Sequence, residues 1–178
     1  MTDLLKRITE DQDPFKKVAS YIPGFGGYIE RQNRRAADKL LRETVADRFE
    51  ELWKRTSALQ TDMVNAGMLS YMDDMERAAI QLRTFIDKIR TASYGYSGLF
   101  DAVKINEAEL TQLYQFDSAF FMAAEEIGRA LDNVEASLGD EAGLPAAIRN
   151  LISLSREATE AFNRRSEVFT SGDGEPTA

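Results

Sequence analysis

Apolar residues recur at alternating steps of three and four along four long stretches of this chain. That is the spacing of helices that each turn one stripe toward a shared core. The first stretch runs from about Tyr28 to Ala66, with Val45, Phe49, Leu52, Thr56, Leu59 and Met63 in one seam. Gly67 follows, free to take the left-handed conformation that closes a helix. The second runs from about Ser70 to Thr91 on Met72, Met75, Ala79, Leu82, Ile86 and Ile89, with Ser70 and Asp73 spaced as a capping box. The third, from about Glu107 to Leu138, steps through Leu110, Leu113, Asp117, Phe120, Ala124, Ile127, Leu131 and Val134, with Asn106 and Glu109 as its capping box. The fourth begins at Leu144 or Pro145 and ends near Phe169, with Ile148, Leu151, Ser155, Ala158 and Phe162 inward. Pro145 suits a first turn, where its missing N–H leaves nothing unpaired.

Short connections at 67–69 and 139–143 favour an antiparallel up-down arrangement. The repeat lies nearer 3.5 than 3.6 residues, so coiled-coil-like packing at crossing angles of about 20° is expected. No alternating run of β-branched residues competes. The expectation is an all-α, antiparallel four-helix bundle over 28–170. It is preceded by an arm over 1–27 that holds a short amphipathic helix and a Gly/aromatic turn, and followed by a disordered tail over 171–178. The up-down order places the 92–105 connection at the same end as the entry to the first long helix. Both segments are rich in aromatic residues and glycine: Tyr21-Ile22-Pro23-Gly24-Phe25-Gly26-Gly27-Tyr28, and Ala92-Ser93-Tyr94-Gly95-Tyr96-Ser97-Gly98-Leu99-Phe100.

Composition narrows the chemistry. The 178 residues include no histidine and no cysteine. Imidazole bases, Cys–His and Ser–His–Asp arrangements, the usual zinc sites, Glu-x-x-His di-iron bundles and disulfides are thereby excluded. No apolar run approaches the roughly 18–20 residues of a membrane span, and the N-terminus lacks a signal-peptide core. The expected setting is cytoplasmic. The net charge of −8 is uneven: residues 1–35 hold 7 basic and 5 acidic side chains, and the rest hold 15 and 25. A body this acidic repels nucleic acid, so no nucleic-acid partner is expected.

Four features invite a chemical reading. Asp117 interrupts an apolar seam, where a carboxylate has to be paired, hydrogen-bonded or protonated. It reads as a register-setting polar group, bonded to a tyrosine hydroxyl, to Arg83 or Arg90, or to backbone of the 92–105 segment. Gly24, Gly26 and Gly27 precede a basic helical turn, but no strand comes before them and no Gly-Lys-Ser/Thr follows, so a phosphate cradle is not supported. The doublets Glu50-Glu51, Asp73-Asp74 and Glu125-Glu126 read as solvated faces, since adjacent acids on a helix point apart. Phe15, Val18, Ala19 and Ile22 share one side of a short helix that carries Lys16 and Lys17 on the other, an element suited to docking on a partner or membrane, or to folding back on the bundle end.

Ile22-Pro23-Gly24 with Gly27-Tyr28, the run Arg34-Arg35-Ala36-Ala37-Asp38 and the stretch Ala92 to Ala102 together resemble the shared pattern of a bacterial all-helical family without an assigned function. The resemblance spans about Pro14 to Phe169 and implies no activity, cofactor or catalytic residue.

The expected function is therefore non-enzymatic: binding to a protein partner, or self-association, with no metal or cofactor. The expected contact residues are Phe15, Ile22, Phe25, Tyr28, Tyr94, Tyr96, Leu99 and Phe100, rimmed by Lys16, Lys17, Arg31, Arg34 and Arg35. The alternative is a peripheral membrane protein that uses the same end on an anionic surface.

Overall fold

In the computed structural model, residues 14–26, 34–92 and 107–170 are described. They form α1 (Pro14–Tyr21), α2 (Arg34–Asn65), a 3-10 turn (Leu69–Tyr71), α3 (Met72–Thr91), α4 (Glu107–Ala136) and α5 (Leu144–Thr170). No strand occurs among the described residues. The all-α bundle expected from the periodicity is what the chain builds. Of the expected contact residues, Tyr28, Arg31, Tyr94, Tyr96, Leu99 and Phe100 lie outside the described residues, as does the 171–178 tail.

The cross-helix contacts fix the topology. Gln60 bonds Glu76, and Arg90 reaches Asp47, so α2 and α3 run antiparallel. Arg165 on α5 meets Asp117 on α4 and Asp38 on α2, whereas Arg55 on α2 meets Asp132 on α4. Hence α2 and α4 run parallel, and α5 runs against both. Lys88 bonds Asn163, and Thr159 bonds the Gln81 carbonyl, so α3 and α5 are parallel neighbours. The four long helices, α2 to α5, alternate up and down in sequence. Around the bundle they stand in the order α2, α3, α5, α4, which leaves α3 and α4 on a diagonal.

Each of the four helices supplies one phenylalanine to the centre. The Phe49 and Phe85 ring centroids lie 4.0 Å apart, Phe85 and Phe120 5.3 Å, Phe85 and Phe162 6.1 Å, and Phe120 and Phe162 6.2 Å. All four side chains are buried. Tilted and edge-on rings at these separations combine a large apolar area with favourable quadrupole contacts. Buried hydroxyls above this layer are satisfied within their own helices: Thr56 donates to the Leu52 carbonyl at 2.8 Å and Ser155 to that of Leu151 at 2.8 Å.

The helix ends obey local chemistry. At the end of α2, Gly67 takes φ +75°, its N–H bonds the Val64 carbonyl at 3.0 Å, and the Met68 N–H bonds that of Met63 at 2.9 Å. Those two bonds make a Schellman closure. The Ser70–Asp73 capping box does not form. Tyr71 holds the N-cap position of α3 without a side-chain cap bond, because the 3-10 turn over Leu69–Tyr71 leads directly into the helix. Asp73 and Asp74 serve the first turn of α3 through the helix dipole instead.

Candidate functional site

Helix α1 lies along the first half of α4, and its aromatic residues make the seat. Phe15 packs edge-on to Tyr114 at 5.7 Å, Phe25 edge-on to Tyr114 at 6.1 Å, and the Tyr21 ring stacks on Phe121 at 4.5 Å. Ile22-Pro23-Gly24-Phe25 is a β-turn closed by the Phe25 N–H on the Ile22 carbonyl at 3.2 Å, with Gly24 at φ +80°. Proline second and a positive-φ glycine third is the type II composition. The turn drives Phe25 inward, where it is buried along with Val18 and Ile22 in the same core as the long helices.

This placement divides the contact residues expected from the sequence. Ile22 and Phe25 are core, with 3% and 1% of their surface left, and offer a partner nothing in this arrangement. Burial follows because both lie on the apolar side of α1 and its turn, which α4 covers. Phe15 is half-buried beside an exposed Lys16 and a half-buried Lys17. Arg34 and Arg35 open α2, with only their backbone described.

Asp117 is buried as the seam predicts, and its partner is Arg165, not the expected tyrosine, Arg83 or Arg90. Those two arginines belong to α3, diagonal to α4. Arg83 pairs with Asp87 and lies over the Trp53 ring, and Arg90 pairs with Asp47 and Glu50. Arg165 gives its Nε–H to Asp117 Oδ1 at 2.7 Å and its Nη2–H to Asp117 Oδ2 at 3.2 Å, and reaches Asp38 Oδ1 at 3.3 Å. Asp38 in turn accepts from Arg42 Nε at 2.8 Å. The four groups alternate in sign and sum to zero, which lets an ionic layer persist inside the bundle one turn below the phenylalanines. Burial pushes the Asp117 carboxyl above its ordinary range, with the Arg165 guanidinium pulling the other way.

A cleft of about 160 Å³ opens where the last turn of α1 meets α2 and α4. Tyr21, Leu52 and Phe121 make its apolar floor, and Arg48, Glu51 and Glu125 stand at its rim. A volume of this order takes one side chain or a few waters. Among the described residues no group of three acids converges on a metal-sized site. No helix among them is long and apolar enough to cross a membrane.

The remaining feature was not singled out in the sequence. At the hairpin joining α2 to α3, Val64 and Leu69 stand exposed, Leu69 with 65% of its surface open, beside half-buried Met68, Tyr71 and Met72. Ile80 is likewise exposed farther along α3. These residues read as ordinary members of a helix end and a turn. Only the folded hairpin reveals that Val64 and Leu69 keep about half or more of their surface open. The chain matches no protein-family model, no curated protein and no solved structure.

Proposed function

We propose that this protein acts by binding protein surfaces, its own copies included, and carries out no chemistry of its own. The observation that carries the reading is the exposed leucine at the hairpin end. A largely open Leu69 next to Val64 and partly open methionines is the composition of an anchor, because large apolar groups released from water dominate interface energies. The long helices supply rigid, charged flanks of the kind that rim such anchors.

The membrane-surface alternative loses support from the placement of α1. Its apolar side is seated on α4, so the helix would first have to leave its seat, and eight residues with two lysines bind a bilayer weakly. The test is solution mass by light scattering across dilution, followed by capture experiments with the full chain and a Leu69→Ser variant. Assembly or a partner that is lost with Leu69 supports the reading. A monomer whose captured partners ignore the substitution defeats it.

A further inference from the structure

Two long helices build the cleft beside α1 in the same way. On α2, Arg48, Glu51 and Leu52 stand at steps of three and four, and on α4 so do Phe121, Ala124 and Glu125. Residues so spaced share one side of a helix, so each helix turns both apolar and charged groups toward the groove. Tyr21 closes the third side from α1, its ring stacked on Phe121 with centroids 4.5 Å apart and planes 9° from parallel. Half-buried Tyr21 and Leu52 with buried Phe121 and Ala124 make the floor of a pit of about 160 Å³. An apolar cavity of roughly 150 Å³ is enough for a benzene ring.

The rim gives this pit a preference for charge. Neighbouring groups on the same helices are tied: Asp47 and Glu50 hold Arg90, and Arg55 holds Asp132 and Glu135. Among the described residues, no hydrogen bond or ion pair engages the side chains of Arg48, Glu51 or Glu125. All three are exposed, so their charges stay hydrated and open to a ligand. Two carboxylates and one guanidinium leave the rim with a single net negative charge. We propose that the cleft binds a small organic amine, its ammonium held at the rim by Glu51 and Glu125 and its aromatic or branched apolar body set on Tyr21, Leu52 and Phe121. A carboxylate of the same shape meets net repulsion, and a neutral analogue gains only the floor. Arg48 works against the ammonium, which gives the assignment a sign that can be checked. Exposed charge pairs are individually weak and screened by salt, so the affinity lies near about 1 mM and falls as salt rises. This site is separate from the hairpin surface, and neither reading depends on the other.

The test is a ligand-observed NMR titration of the full chain. The probes are phenethylamine, its neutral analogue 2-phenylethanol, the anion 3-phenylpropionate, and ethylamine, which keeps the charge without the ring. Phenethylamine is expected to bind about five-fold more tightly than the alcohol or the acid, with ethylamine weaker still. Glu51→Gln with Glu125→Gln should bring phenethylamine down to the level of the alcohol, whereas Arg48→Gln should tighten it about two-fold. Asp62→Asn with Glu141→Gln removes the same charge at the hairpin end and should leave the affinity nearly unchanged, which separates the cleft from general attraction to an acidic chain. These side chains are all exposed, and circular dichroism checks that the helices persist. Should a pair lower the helical signal, its single substitutions take its place. Equal binding of amine and alcohol, equal weakening by the rim pair and the remote pair, weaker amine binding after Arg48→Gln, or no binding well above the millimolar range would each overturn the site.

Discussion

Arg165 grips Asp117 across 48 residues of sequence with both arms of its guanidinium, at 2.7 and 3.2 Å, inside a bundle that leaves 1% of the arginine exposed. Removing one partner strands a buried charge, which in comparable pairs costs roughly 3–5 kcal/mol. Arg165→Met, which leaves Asp117 buried without its guanidinium, should lower stability by about that much in urea unfolding at pH 7, and Asp117→Leu by less, because Arg165 keeps its bond to Asp38. The double substitution should cost clearly less than their sum, because neither charge is then left alone. Additive losses would show that the two groups do not act as a unit.

The same carboxyl predicts a pH signature. A group whose native value lies above its ordinary 3.8 holds its proton more tightly folded than unfolded. Its contribution to stability is fully present below that value and is lost as pH rises through the native one. Asp117→Asn lacks the contribution, so the wild type should gain on the variant as the pH drops from 7 to 4. Glu50 behaves in the opposite sense. The Arg90 guanidinium, 2.6 Å away, holds its carboxyl below the ordinary 4.5. Stability from that pair is present above 4.5 and is lost as pH falls through the native value, so the wild type's advantage over Glu50→Gln should shrink on acidification. Paired urea titrations at several pH values read both gaps, and gaps that move in the same direction would contradict the assignment.

How much of this was legible in the chain depends on which layer is asked about. The apolar seams fixed all four long helices, the Gly67 closure and the burial of Asp117, since steps of three and four leave an interior carboxylate no other place. Arg165 was within reach too. It stands three residues after Phe162, the last apolar member of its seam, and Asp38 and Arg42 continue the α2 seam below Val45 by the same steps. An arginine at a seam position is equally compatible with the point where the helix meets solvent, so periodicity alone does not mark the ionic layer. Its wiring needed one more fact, the diagonal relation of α3 and α4, which periodicity does not encode. The exposed hairpin was the reverse case. Val64 and Leu69 satisfy the local pattern, and only their exposure in the fold distinguishes them from core.

The phenylalanine layer sets the next expectation. Phe85 touches the rings of Phe49, Phe120 and Phe162, so it links all four helices at one level. Phe85→Ala should lower stability by about 3–5 kcal/mol, the usual range for emptying a buried aromatic site. Phe15→Ala, at a half-buried ring on the edge of the α1 seat, should cost well under half as much. Urea midpoints in a common buffer make the comparison, and equal losses would mean that the centre is looser than the four-ring contacts imply.

Gly67 isolates the backbone contribution to the hairpin. Its φ of +75° is favourable only for a residue without a side chain, yet a Cβ placed there would meet nothing within 4 Å. Gly67→Ala therefore tests conformation without a clash, and the left-handed penalty of about 1–2 kcal/mol should appear nearly whole as lost stability. Gly67→Asn should recover part of it, because asparagine tolerates that conformation better. If self-association uses the tip that this turn presents, the alanine variant should also assemble less well than the asparagine variant at matched folded fraction. A loss of stability with no difference in assembly would place the docking surface away from the turn.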